Sequence, residues 1–411
     1  VKLILILTYL LMTVITYWLR QINLRHLQVH GCTIPPGFES AVTPETLAKS
    51  TAYTLDSSRL GLWESLFDNV LLLLFLFGGL LPLYGQFIAG MTTSFILQGV
   101  LFFLLLTWLQ TLLAVPFSLY STFVVEARHG FNTMTLRLWL SDLFKAQGIG
   151  SLLLAVVITV TFGLIQWAPQ RWWLWAWAFM AAFSLFMMVL SPYVIEPFFN
   201  HFEPVTEEGL EDEIKVVMAK AGLKVSRVMQ MDASKRSRHS NAYFTGIGRV
   251  KRIVLYDTLI KQMTHAEIIA VLAHEVGHWK LRHVLKRLFV VEALLLGGSW
   301  LAFKLLQWEG LPGLIGLNDA SLAAQLVILG FIASLGLFPF TPLTSWLSRR
   351  DEYAADRFAC QITGKPEALA TALIKLSAEN LANLHPHPFY AWFYYSHPPV
   401  VERVRMLREG A

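Results

Sequence analysis

Residues 69–125 read NVLLLLFLFGGLLPLYGQFIAGMTTSFILQGVLFFLLLTWLQTLLAVPFSLYSTFVV, with no Asp, Glu, Lys or Arg between Asp68 and Glu126. One helical crossing of a bilayer needs about 20 apolar residues, so this run holds more than one. Dividing it at the turn-like segment 84–93 places spans near 66–84 and 95–119. Outward from there, residues 2–19 form another apolar stretch; a signal peptide is the competing reading, but Arg20-Gln21-Ile22 follow in place of a small-x-small cleavage site. Further spans are expected at 147–167, 172–195 (opening on interfacial Trp), 288–308 (interrupted by Glu292) and 320–348. The fold class is therefore an α-helical multi-pass membrane protein with seven transmembrane helices.

Composition agrees. The 411-residue chain is 55% hydrophobic and only 15% charged, against about 25% charged in soluble domains. That excludes an ordinary soluble enzyme or a nucleic-acid-binding module, so no nucleic-acid partner is expected. Two cysteines, Cys32 and Cys360, exclude a disulfide framework and a multi-cysteine metal site. The net charge of +5 is a matter of orientation: loops rich and poor in Lys and Arg alternate along the spans. By the positive-inside rule the amino terminus lies outside and the carboxyl terminus in the cytoplasm. The expected compartment is a bacterial inner membrane, or the endoplasmic reticulum if the chain is eukaryotic. Two domains are expected: 1–196, with five spans, and 197–411, with two spans inside an otherwise aqueous α+β unit carrying a small sheet.

In the aqueous part, strand-like runs at 225–231, 241–245 and 252–256 surround a basic, Ser-rich loop. Thr264-x-x-Glu267 is a capping-box pattern that should start a helix at His265, with Ile268, Ile269, Leu272 and Val276 on its buried side. This helix carries His274-Glu275-Val276-Gly277-His278. Histidines at i and i+4 share a helical face, so both can reach one zinc ion, and Glu275 is placed to act as general base toward a metal-activated water. The alternative is a pair of surface histidines on a basic helix. Downstream, Glu352 and Asp356 are also i, i+4. Alone they would read as a solvated face; with the upstream motif, Glu352 becomes the third zinc ligand and Asp356 the partner fixing a ligand histidine's tautomer. His283, five residues past His278, is expected off the metal-facing side. Glu292 in a span requires water or a polar partner. Arg128 and His129 read as loop packing.

The chain resembles the type I CAAX prenyl endopeptidases, integral-membrane zinc proteases. In the carboxyl half the resemblance rests on Ser240-Asn241-Ala242-Tyr243-Phe244, His274-Glu275-x-x-His278, Glu352-x-x-x-Asp356 and Ser396-His397-Pro398-Pro399 with Arg403. In the amino half it rests on Glu126-x-x-x-Gly130-Phe131-Asn132-x-x-Thr135, Asp142, Lys145 and Ile195-Glu196-Pro197-Phe198-Phe199-Asn200. It implies one zinc ion on His274, His278 and Glu352, with Glu275 as base. It further implies His397 as donor to the oxyanion, Asn241 and Ala242 as an edge strand pairing with substrate, and Arg403 holding a substrate carboxylate or the wall of the site. Seven helices would enclose a water-filled chamber, and the partners would be membrane lipid and peptide or protein substrates, lipidated ones among them. The sequence leaves the oligomeric state open, with a monomer favoured. Alternatives are a quality-control protease or a translocation-associated chaperone independent of prenylation. A site-2-type intramembrane protease is disfavoured, because no Leu-Asp-Gly occurs and Trp279-Lys280-Leu281-Arg282-His283 is too polar for mid-bilayer.

Overall fold

The computed structural model describes residues 1–245 and 250–410. Among these, seven helices are long and apolar enough to cross a membrane. The amino half runs α1 (Lys2–His30), α2 (Pro44–Phe77), α3 (Leu80–Met91), α4 (Phe95–Tyr120), α5 (Leu136–Trp167) and α6 (Trp172–Leu190), followed by the short α7 (Glu196–Phe199).

The charge-free run breaks twice, at Gly78–Gly79 and at the far end of the expected 84–93 segment. Gly79 takes a left-handed φ of 88°, a conformation open to glycine at little cost, and α2 stops there. Residues 84–91 are helical, inside α3, whose 12 residues extend about 18 Å, too short for the hydrocarbon core. The next break is at Thr92–Ser94, where the Ser94 hydroxyl accepts from the Leu97 N–H and starts α4. Both α4 and α6 end in widened π-type turns, at Ser121–Glu126 and Ser191–Ile195. Each turn delivers a carboxylate, Glu126 or Glu196, toward the aqueous half.

That half contains β1 (Phe202–Pro204), α8 (Leu210–Lys220), β2 (Lys224–Met231), β3 (Ala242–Thr245), β4 (Val250–Tyr256), α9 (Asp257–Gln262) and α10 (His265–Lys280). It continues through α11 (His283–Leu306), α12 (Leu322–Leu337), α13 (Thr341–Thr363), α14 (Pro366–Glu379), α15 (Pro388–Tyr394) and α16 (Val400–Glu409). The sheet order is β1-β2-β4-β3, with β2 and β4 parallel and the outer strands antiparallel, so β3 is an edge. Strand β1 has only three residues and leaves little trace in the sequence pattern.

Against the sheet packs an apolar core from Leu210, Ile214 and Met218 of α8 and Ile268, Leu272 and Val276 of α10. The expected inner face of α10 is thus the observed one, and its capping box is formed as the sequence predicts. A short 3₁₀ turn joins α12 to α13, so one helical column runs from the membrane-spanning segment to Thr363.

The two halves are joined through the loop before β3. Arg236 forks onto Asp142 of α5 at 2.8 and 3.1 Å, and Ser237 pairs with Asn132 through the backbone. Lys145 donates to the Phe198 carbonyl at 2.9 Å. Arg128 and His129 pair with Asp56 at 2.9 and 3.0 Å, tying the loop after α4 to α2. Glu292 is half-buried, and its buried Oε2 has no hydrogen-bond partner among the described residues.

Candidate active site

Helix α10 is held in place at its start. The Thr264 hydroxyl accepts from the Glu267 N–H at 3.4 Å, the Glu267 carboxylate accepts from the Thr264 N–H at 2.8 Å, and Lys375 of α14 pairs with the same carboxylate at 2.8 Å. Two turns on, His274 and His278 face α13. There Gly277 sits against Ala355, and the absent side chain is what lets the two helices approach. Glu352 and Asp356 flank Ala355 and turn toward the histidines.

His274 Nε2 and His278 Nε2 lie 3.2 Å apart, and each is 3.2 Å from an oxygen of Glu352. Ligand atoms about 2.0–2.1 Å from a tetrahedral zinc are about 3.3 Å from one another, so the spacing fits that ion. The chemistry fits as well. Glu352 Oε2 is buried with no hydrogen-bond partner, which a cation would satisfy. Burial disfavours a charge on His274, yet the Asp356 and Glu352 carboxylates outweigh it and push the imidazole up to about 9; the cluster draws positive charge into itself.

Around these three ligands the remaining residues fall as follows. Asp356 Oδ1 accepts from His274 Nδ1 at 2.7 Å. Arg403, buried on α16, forks onto the same carboxylate at 2.8 and 2.6 Å. Its guanidinium is committed inside the protein to that carboxylate. Glu275 is partly buried beside the histidines, and burial pushes its carboxyl above the ordinary range. His397 Nε2 stands 3.4 Å from Glu352 Oε1 on a side chain 64% exposed. Arg349 of α13 holds that loop by donating to the carbonyls of Ala391, Trp392 and Tyr395 at 3.2, 3.1 and 2.7 Å. Asn241 leads into edge strand β3; its Oδ1 accepts from the Ala242 N–H at 2.8 Å, and Ala242 is buried.

Residues 23–201 match the protein family described as CAAX prenyl protease N-terminal, five membrane helices, and residues 204–411 match peptidase family M48. The chain is 34% identical over 399 residues to the CAAX prenyl protease 1 homolog of Arabidopsis thaliana, covering 91% of this chain and 90% of that protein. It belongs to the CAAX prenyl protease 1 family. Like other M48 peptidases, this member of the CAAX prenyl protease 1 family is a zinc metalloendopeptidase with His274, His278 and Glu352 as its zinc site. The human CAAX prenyl protease 1 homolog is 32% identical over 433 residues, 91% of this chain and 88% of that one. The crystal structure of S. mikatae Ste24p superposes with a TM-score of 0.92 at 26% identity, covering 99% of this chain and 98% of the other. The CAAX prenyl protease 1 fold is thus that of an integral multi-pass membrane protein acting on protein substrates.

Sequence reasoning missed three sets of contacts in this CAAX prenyl protease 1 relative. His283 is buried, and its Nδ1 lies 3.1 Å from His278 Nδ1, a contact that residue spacing did not announce. Arg282 takes a left-handed φ of 59°, and α11 starts at His283 with its ring turned toward His278. Glu126 accepts from the Tyr53 hydroxyl at 2.7 Å and from His239 Nε2 at 3.3 Å. The same imidazole stacks on Phe131 at 3.9 Å and faces Asn380 Oδ1 at 3.1 Å, which also accepts from the Ser240 N–H. Finally, Tyr243 of β3 donates to Glu196 at 2.8 Å. The amino-half motif residues thus bear on the segment leading into the edge strand. The motif's presence in the sequence was the available signal; its partners were not legible.

Proposed function

We propose that the enzyme removes the carboxyl-terminal tripeptide of prenylated CAAX proteins, with its zinc site on the cytoplasmic side and its amino terminus outside. The observation that carries this reading is the helical column of residues 322–363, which passes from a membrane-spanning segment directly to Glu352 and Asp356. Hydrolysis then takes place next to the bilayer, where a lipid-anchored carboxyl terminus resides. The relatives' designation as CAAX prenyl proteases supports the substrate class, and the alternation of basic and non-basic loops supports the orientation. The seven helices would enclose the chamber that receives the lipid arm, and a single copy suffices, since all the site residues come from one chain.

When bound, zinc supplies Lewis-acid activation of water and of the scissile carbonyl. Glu275 takes the proton of the attacking water and passes it to the leaving amine. His397 Nε2 donates to the carbonyl oxygen as negative charge develops there. The open edge of β3, from Asn241 and Ala242 onward, pairs with the extended substrate by strand addition. Asp356 holds the His274 tautomer and Arg403 holds Asp356.

The test is hydrolysis of a farnesylated CAAX peptide by the purified full chain in lipid nanodiscs. Glu275→Gln should lower the rate by about 10²-fold or more while zinc content stays at the wild-type level. Equal rates for wild type and variant would refute the base; equal rates for farnesylated and unmodified peptides would refute the substrate class.

A further inference from the structure

We propose that His283 is the positioning residue for zinc ligand His278, relaying its tautomer to Asp351; the inference rests on the zinc site, not on the substrate class. His278 turns Nε2 toward His274 and Glu352, so that nitrogen is the one facing the metal. An imidazole that binds through Nε2 keeps its proton on Nδ1, and that proton needs an acceptor. The group in place is His283 Nδ1, at 3.1 Å. To accept there, His283 must carry its own proton on Nε2, which faces Asp351 Oδ1 at 3.5 Å. Arg287 Nη2 in turn holds Asp351 Oδ2 at 3.2 Å.

Two features of the chain build this relay. The left-handed Arg282 ends α10 and turns His283 inward, where 3% of the residue is exposed. Asp351 immediately precedes Glu352 on α13, so one helix supplies a metal ligand and, from the adjoining position, the end of the relay. The two histidine ligands are therefore backed differently. Behind His274 stands a carboxylate, Asp356, pinned by the buried Arg403. Behind His278 stands a neutral imidazole, with its carboxylate one step further out. A neutral acceptor fixes the ring without bringing a second full charge against the cluster.

The experiment is competition between the full-length protein in detergent and a chromophoric zinc chelator, with no substrate present, so its outcome is independent of which peptides are cut. His283→Leu, which offers no acceptor, should weaken zinc binding by about 10–100-fold. His283→Gln, whose side-chain carbonyl can accept from His278 Nδ1, should recover most of that loss. A merely structural role predicts that both variants bind zinc alike. Wild-type affinity in His283→Leu, or equal losses in both, overturns the proposal. If His283→Leu does not fold, Asp351→Ala decides: the side chain is 26% exposed and the change removes the acceptor that faces His283 Nε2. Weakened zinc binding there supports the relay, and unchanged binding overturns it.

Discussion

A Cβ placed on Gly277 would lie 2.9 Å from the Cα of Ala355 and 3.2 Å from its Cβ. This contact between α10 and α13 sets the metal site, because Gly277 sits between His274 and His278 while Ala355 sits between Glu352 and Asp356. Any side chain at 277 meets backbone, which cannot rotate away, so the two helices must separate.

Gly277→Ala tests this in a way that separates local from tertiary effects. Within a helix the change favours folding by up to about 1 kcal/mol, whereas overpacking against a fixed neighbour costs about 1–3 kcal/mol. We expect the second to win, giving lower thermal stability and zinc occupancy below that of wild type. Occupancy and stability both at or above wild type would show that the helices have room.

The buried pair of Asp356 and Arg403 makes a second prediction. Asp356→Ala strands a guanidinium that has little access to water and should destabilise the protein by about 3–5 kcal/mol. Adding Arg403→Leu to it removes the stranded charge, so the double variant should be more stable than Asp356→Ala alone. Thermal unfolding of the four combinations measures the coupling; simple additivity would contradict the pairing.

A pH dependence follows from His239. Its hydrogen bond to Glu126 raises the imidazole above its usual value despite desolvation, and both ring nitrogens face acceptors. A folded-state pKa above the unfolded one gives stability that is full below the ordinary histidine value and is lost as pH rises through the raised value. The stability advantage of wild type over Glu126→Gln should therefore be larger near about pH 6 than near about pH 9. Thermal midpoints at the two pH values read it out, and a gap that is constant or widens with pH would exclude the charged pair.

The cap of the zinc helix can be removed without touching the site. Thr264→Ala loses one half of the capping box and should cost about 1 kcal/mol. Because Lys375 still anchors Glu267, zinc content should not change. Loss of zinc in this variant would mean that the helix start and the metal site are coupled more tightly than the contacts show.

The readings that succeeded rest on short-range regularities. Apolar runs identified the spans because a bilayer demands length. Thr264 and Glu267 announced α10 because a cap satisfies donors three residues away, and histidines four apart announced the ligands because a helix repeats every 3.6 residues. The readings that failed lie where one residue's backbone redirects the chain. Gly79 broke the charge-free run earlier than its polar residues suggested, and the left-handed Arg282 turned His283 onto the back of His278, a contact that spacing did not announce.

The sequence by itself determined that this protein crosses the membrane repeatedly and carries a zinc-binding helix, since spans and motif are written in neighbouring residues. Only the tertiary structure decided how the far-separated parts meet. It brought Arg403 onto Asp356, His283 onto His278, and Glu126 of the membrane half onto His239 beside the edge strand. These contacts depend on helix crossing and backbone turns, such as the close approach at Gly277, that no local periodicity encodes.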